Sequence, residues 1–89
     1  MDREALYKVL ENYQTEAELE ELKKTQIKFK VYWHWYNWND IEESSIILYS
    51  NETGYLEYFD TGFFTHHSRR EDILSLCKVN TVFQYLGVL

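Results

Sequence analysis

Three histidines, one cysteine and a single Asp-Thr-Gly triplet are the parts of this 89-residue chain whose side chains suit catalysis or metal binding. His66 and His67 are adjacent, and neighbours on an extended chain point in opposite directions, so the pair does not converge on one ion. His34 lies in an alternating run and reads as a surface residue on the polar side of a strand. No HExxH and no Cys/His ligand spacing accompanies these histidines, and no metal site is expected. Cys77 sits beside Leu74 and Leu76 in a helical pattern and reads as a small core residue. A lone cysteine also excludes an internal disulfide or a multi-cysteine zinc module. With three glycines there is no phosphate-cradling loop and no nucleophile elbow. Neither a catalytic residue nor a cofactor is expected.

Phe59-Asp60-Thr61-Gly62 resembles the active-site signature of the retroviral-type aspartic proteases, in which two such loops share a proton between carboxylates. The resemblance covers four residues. Phe63 stands where that family uses a small residue, and the family's N-terminal strands and Gly-rich flap have no counterpart. A turn that ends a strand accounts for the same triplet, because Asp and Gly both favour turns. Asn51-Glu52-Thr53 matches a glycosylation acceptor and likewise reads as a turn.

The elements that position these residues follow from hydrophobic period. Leu6, Val9, Leu10, Tyr13 and Ala17 recur at helical spacing behind a capping Asp2. Thr15 and Glu18 have the spacing of a capping box, which predicts either two short helices or one kinked helix. Over residues 27–36 the period becomes two: Ile27, Phe29, Val31, Trp33 and Trp35 alternate with Lys28, Lys30, Tyr32, His34 and Tyr36. Asn37-Trp38-Asn39-Asp40 is predicted as a turn. Strands at about 45–50 and 55–59 meet across Asn51-Glu52-Thr53-Gly54, where Gly supplies the positive φ of a type I turn with a bulge. Ser68-Arg69-Arg70-Glu71 predicts a C-terminal helix through Ile73, Leu74, Leu76 and Cys77. A further turn carries Val82, Phe83 and Leu86, and Gly87 ends it. The expected fold class is α+β: residues 1–89 as one compact domain, with a small three-stranded antiparallel sheet flanked by N-terminal and C-terminal helices.

Composition agrees with a folded globule: 45% apolar, 27% charged and 18% aromatic. No apolar run approaches the roughly 20 residues that span a bilayer, and MDREALYK lacks a signal peptide's apolar core, so a cytoplasmic chain without membrane contact is expected. The net charge is −6, and no Lys or Arg occurs between Lys30 and Arg69. That balance disfavours direct binding to nucleic acid. The aromatic run from Tyr32 to Trp38 suits base stacking only beside a positive groove, and here just Lys28 and Lys30 precede it.

The same residues suit a protein contact. Trp33 and Trp35 are expected to face the helices, leaving Tyr32, His34 and Tyr36 on an open sheet face rimmed by carboxylates. The predicted partner-binding residues are Tyr36, Glu42, Glu43, Tyr49, Glu52, Tyr55, Glu57 and Tyr58. They describe a non-catalytic binder that blocks a basic surface on a larger protein, with aromatic anchors inside an acidic rim. In size, acidity and compactness the chain resembles small phage-encoded inhibitors, the anti-CRISPR proteins and nucleic-acid mimics, a likeness of general character without a shared motif. It implies a CRISPR effector or another nucleic-acid enzyme as partner, in the host cytoplasm. The alternative is a homodimerising structural or regulatory subunit, since Val82, Phe83, Tyr85, Leu86, Val88 and Leu89 make a very apolar ending.

Overall fold

The computed structural model describes residues 1–38, 40–60, 64–67 and 81–89. In chain order these form α1 (Arg3–Leu10), α2 (Glu16–Lys24), β1 (Lys30–Trp38), β2 (Ile41–Ser50), β3 (Gly54–Phe59), β4 (Phe64–His67) and β5 (Thr81–Val88). The protein is α+β.

Local chemistry starts both helices. The Asp2 carboxylate accepts from the Ala5 amide at 2.8 Å and caps α1. The Thr15 hydroxyl accepts from the Glu18 amide at 3.2 Å, while the Glu18 carboxylate accepts from the Thr15 amide at 2.8 Å. This reciprocal box separates α2 from α1, so the helical pattern is two helices rather than one kinked helix.

The five strands form one sheet in the order β4-β3-β2-β1-β5, and every neighbouring pair is antiparallel. Gly54 has φ 73° and pairs with Ser50, as the predicted turn with a positive-φ glycine requires. The β1–β2 connection is tighter than the sequence suggests. Trp38 pairs with Ile41, so Asn37 and Trp38 belong to the strand, and Asp40 sits at φ 62° in the left-handed region that Asp tolerates.

Both helices lie on one face of the sheet. Leu6, Leu10 and Leu19 are buried there with Phe29, Val31, Ile46 and Leu48, and Trp33, Leu56, Tyr58 and Leu86 pack against them. Each fully buried aliphatic side chain contributes about 1.5–3 kcal/mol. The opposite face holds a second buried cluster, Ile47, Tyr49 and Tyr55, with Tyr32 and Phe83 against it.

The structure corrects the sequence reading in three places. Among the described residues the sheet has five strands instead of three. Residues 81–88, read as the last turn of a C-terminal helix, are β5 instead, while the 68–80 part of that helix and Cys77 lie outside the described residues. Thr81, Val82, Phe83, Tyr85 and Val88 are β-branched or aromatic, and the free edge of β1 offers them a ladder that local pattern does not reveal. Gly87 is therefore not a helix terminator. It is a strand residue at φ 147° beside the Met1 carbonyl, where an added Cβ would lie 3.1 Å from that oxygen. Third, the face expected to be open is buried: His34 is 5% exposed, Tyr49 9%, Tyr55 2% and Glu57 5%.

Candidate functional site

β1 and β2 outlast their neighbours at one end of the sheet. β5 stops pairing with β1 at Tyr36, opposite Thr81, and β3 stops pairing with β2 at Ser45, opposite Phe59. Beyond those points Asn37 and Trp38 pair only with Glu42 and Ile41 among the described residues. They form a two-stranded ribbon that projects from the sheet. Asn37, Asp40, Ile41 and Glu42 are exposed on it, with Ile41 at 63%. Glu43 is half-buried at its root, and Asp60 is exposed close by, its amide donating to the Ser44 carbonyl at 3.1 Å.

Two hydrogen-bond systems stiffen this root, one on each face. On the helix-bearing face the Trp33 indole N–H donates to the Tyr13 hydroxyl at 3.2 Å. Tyr13 Oη lies 2.9 Å from Ser44 Oγ, and Ser44 donates to the Asp60 carboxylate at 3.3 Å. Ser44 spends its one proton on Asp60, so Tyr13 is the donor to Ser44. The chain Trp33, Tyr13, Ser44, Asp60 thus runs in one direction from the core to a surface carboxylate.

On the second face the Tyr36 hydroxyl donates to the Glu43 carboxylate at 2.7 Å. Burial, the bond to Glu43 and the nearby charges of Glu43, Glu57 and Asp60 together raise the Tyr36 hydroxyl far above the usual tyrosine range. In the unfolded chain it ionises near 10, so the fold keeps this contribution fully below about pH 10 and loses it progressively as pH rises further. Alkaline titration followed at the phenolate absorbance is expected to show fewer than all eight tyrosines ionising before the fold opens. Tyr36→Phe is expected to flatten the fall in stability above that pH. An unchanged slope in the variant contradicts the assignment.

Deeper on the same face, Glu57 joins two other polar groups. Ser45 Oγ donates to Glu57 Oε2 at 2.6 Å, and His34 Nδ1 donates to the same oxygen at 3.2 Å. Ser45 is fully buried, and His34 Nε2 is buried with no partner among the described residues. Hydroxyl and imidazole both donate to the one Glu57 oxygen, and among the described residues no hydrogen bond joins them to each other as a nucleophile and its general base would require. The carboxylate satisfies the Ser45 hydroxyl and His34 Nδ1 and ties β1, β2 and β3 together.

The structure divides the predicted partner-binding residues. Glu42, Glu43 and Tyr36 meet at the projecting hairpin. Glu52 is exposed but belongs to the β2–β3 turn, at the far end of a ten-residue strand and so about 30 Å away. Tyr49 and Tyr55 share the face of Tyr36 but are buried in its cluster, and Glu57 is buried beside His34. Tyr58 is on the opposite face, lining an open, mostly apolar groove of about 370 Å³ under α2 with Gln14, Leu22 and Phe29. The open acidic, tyrosine-rich sheet is therefore replaced by a narrower acidic ribbon. Asn37, Asp40 and Ile41 belong to it and were not among the predicted contact residues, while Asp60, a carboxylate of the expected acidic rim, lies close by. Their signal was a stretch without Lys or Arg, but the projection depends on where β3 and β5 stop.

Thr61 and Gly62 lie outside the described residues, and Asp60 is held by Ser44 at the surface. Among the described residues no three His, Cys, Asp or Glu side chains gather as a metal site requires. No described helix is long and apolar enough to cross a membrane. Fold and site thus define an antiparallel α+β protein with a projecting acidic hairpin. Comparison with protein families, with curated proteins and with solved structures gives no match for this chain.

Proposed function

We propose that this protein is a non-catalytic binder that inserts its β1–β2 hairpin into a basic cleft of a larger protein. The observation that carries the reading is the reach of the Asn37–Glu42 and Trp38–Ile41 pairs past the described ends of both neighbouring strands, with Asp40 and Glu42 around an exposed Ile41. Among the described residues the lysine ion pairs are Lys23–Glu20 and Lys24–Glu21, and no described cation is paired with Asp40 or Glu42. A ribbon of two strands is narrow enough to enter a groove, and its backbone is fixed by pairing, which lowers the ordering cost on association. Carboxylates at its tip accelerate encounter with a positive surface, and Ile41 supplies an apolar anchor.

Basic clefts are most often nucleic-acid channels, where carboxylates stand in for phosphates. The partner class that fits is a nucleic-acid enzyme, a CRISPR effector included, and the mode of action is occlusion of its channel. The general likeness to small phage-encoded inhibitors points the same way.

Charge reversal on the hairpin tests this. Pull-downs from bacterial lysate, eluted with a salt gradient, are compared for the wild type, for an Asp40→Asn/Glu42→Lys variant and for Glu52→Lys. Asn is chosen at 40 because it tolerates the positive φ. The wild type is expected to capture a nucleic-acid-binding protein released by moderate salt. The hairpin variant is expected to lose at least tenfold in affinity with its melting temperature unchanged, and Glu52→Lys to behave as wild type. Equal capture by the folded hairpin variant defeats the proposal.

A further inference from the structure

The two edges of the sheet are not equivalent. β4 is four residues long, whereas β5 has eight, and on its outer side no strand pairs with it among the described residues. Exposed edges are ordinarily blunted by short length, by charge or by proline. β5 has none of these protections. Its sequence, Thr81-Val82-Phe83-Gln84-Tyr85-Leu86-Gly87-Val88, holds no charged residue and no proline in a chain that carries −6 overall. Val82 is 45% exposed and Tyr85 53%, large apolar side chains standing on the open edge.

One end of that edge is already closed. The register shifts between Val31 and Tyr32, leaving Leu86 as the extra residue of a bulge. The Met1 ammonium donates to the Leu86 carbonyl at 3.0 Å, and the Met1 carbonyl lies against Gly87. A bulge bends its strand and ends regular pairing, and the bound N-terminus takes up the edge acceptor there. Among the described residues the stretch left open is therefore Thr81–Tyr85, five residues centred on Phe83.

We propose that β5 pairs with β5 of a second copy of this chain, antiparallel about a two-fold axis at Phe83, to make a continuous ten-stranded sheet. An antiparallel pair of identical strands is self-complementary, as a two-fold dimer demands. In this register Phe83 of one copy lies beside Phe83 of the other, and each already stacks on its own Tyr32 with ring centroids 4.8 Å apart. Thr81 faces Tyr85 across the axis, and Val82 faces Gln84. Pairing satisfies the outward backbone groups, which every second residue of this stretch presents, and covers Val82 and Tyr85. The partner is a second copy because an uncharged edge is where two molecules of like net charge approach with least repulsion. An acidic or basic partner strand would find no complementary charge there.

This interface differs from the hairpin contact in its response to salt. Two copies of −6 repel, so screening strengthens their association, whereas binding of the acidic hairpin to a basic cleft weakens with salt. The test is sedimentation equilibrium of the purified chain at low and high salt, for the wild type and for Val82→Lys/Tyr85→Lys. The wild type is expected to show twice the 10.9 kDa monomer mass, with the dissociation constant falling as salt is raised. The lysine variant is expected to remain monomeric with wild-type far-ultraviolet circular dichroism. Three results each overturn the proposal. They are a wild type still monomeric at about 100 µM, a folded lysine variant that still dimerises, and a wild-type dimer that dissociates as salt is added. Because both lysine positions are exposed, a Gln84→Lys variant provides the same reading should the double variant misfold.

Discussion

Replacing Glu57 with alanine is expected to destabilise the protein by about 3–5 kcal/mol, measured as the shift in a chemical denaturation curve at constant slope. The carboxylate is the common acceptor for Ser45 and His34, and all three residues are buried. Its removal leaves a hydroxyl and an imidazole N–H without acceptors in a site that excludes water, at about 1–3 kcal/mol for each orphaned group. Glu57→Gln keeps one acceptor oxygen and is expected to lose less than half as much. The loss is large against a total stability of roughly 4–13 kcal/mol for a chain of this length. A loss under about 1 kcal/mol in Glu57→Ala would show the cluster to be hydrated. This residue also illustrates how a surface reading fails. As a rim acid, Glu57 should accept a charge reversal without harm to stability. As a buried hub it cannot, because Glu57→Lys places a cation beside the His34 donor.

The second large effect concerns neighbours on one strand. Ile46 and Ile47 are both fully buried, and adjacent strand residues face opposite sides of the sheet. Ile46 packs with Leu6, Leu10 and Val31 beneath the helices, and Ile47 packs with Tyr49 and Tyr55 on the other side. Truncation of either to alanine is expected to cost about 2–5 kcal/mol, since each removes three carbons from a packed cluster and leaves a cavity. A sheet covered on one face only predicts a different result: a full loss for Ile46→Ala and a small one for Ile47→Ala. The pair of variants therefore decides whether both faces belong to the core. The clusters are separated by the sheet itself, so the double variant is expected to show nearly additive losses.

Much of the fold was legible because its causes are local. The Asp2 cap, the Thr15–Glu18 box and the glycine of the β2–β3 turn each act within a few residues and appear in the structure as the pattern implies, and the alternation read over 27–36 marks a strand that runs from Lys30 to Trp38. The acidic stretch between Lys30 and Arg69 was equally plain, and it does supply the charges of the hairpin.

What the tertiary structure decided is everything that depends on a partner distant in the chain. The run from Val82 to Val88 has residues that suit a strand and a spacing that also suits a short helix. The unpaired edge of β1, about fifty residues earlier in the chain, selects the strand. The alternation of polar and apolar residues marks two faces but not whether the more polar one meets water. Glu57 is compatible with burial only because Ser45 and His34 come from two other strands to donate to it. Likewise the hairpin projects because β3 ends at Phe59 and β5 begins pairing opposite Tyr36, limits imposed by other elements. Short-range hydrogen bonds and side-chain period are written into neighbouring residues. Cross-strand pairing, face coverage and satisfaction of buried charge are settled only when the whole sheet assembles.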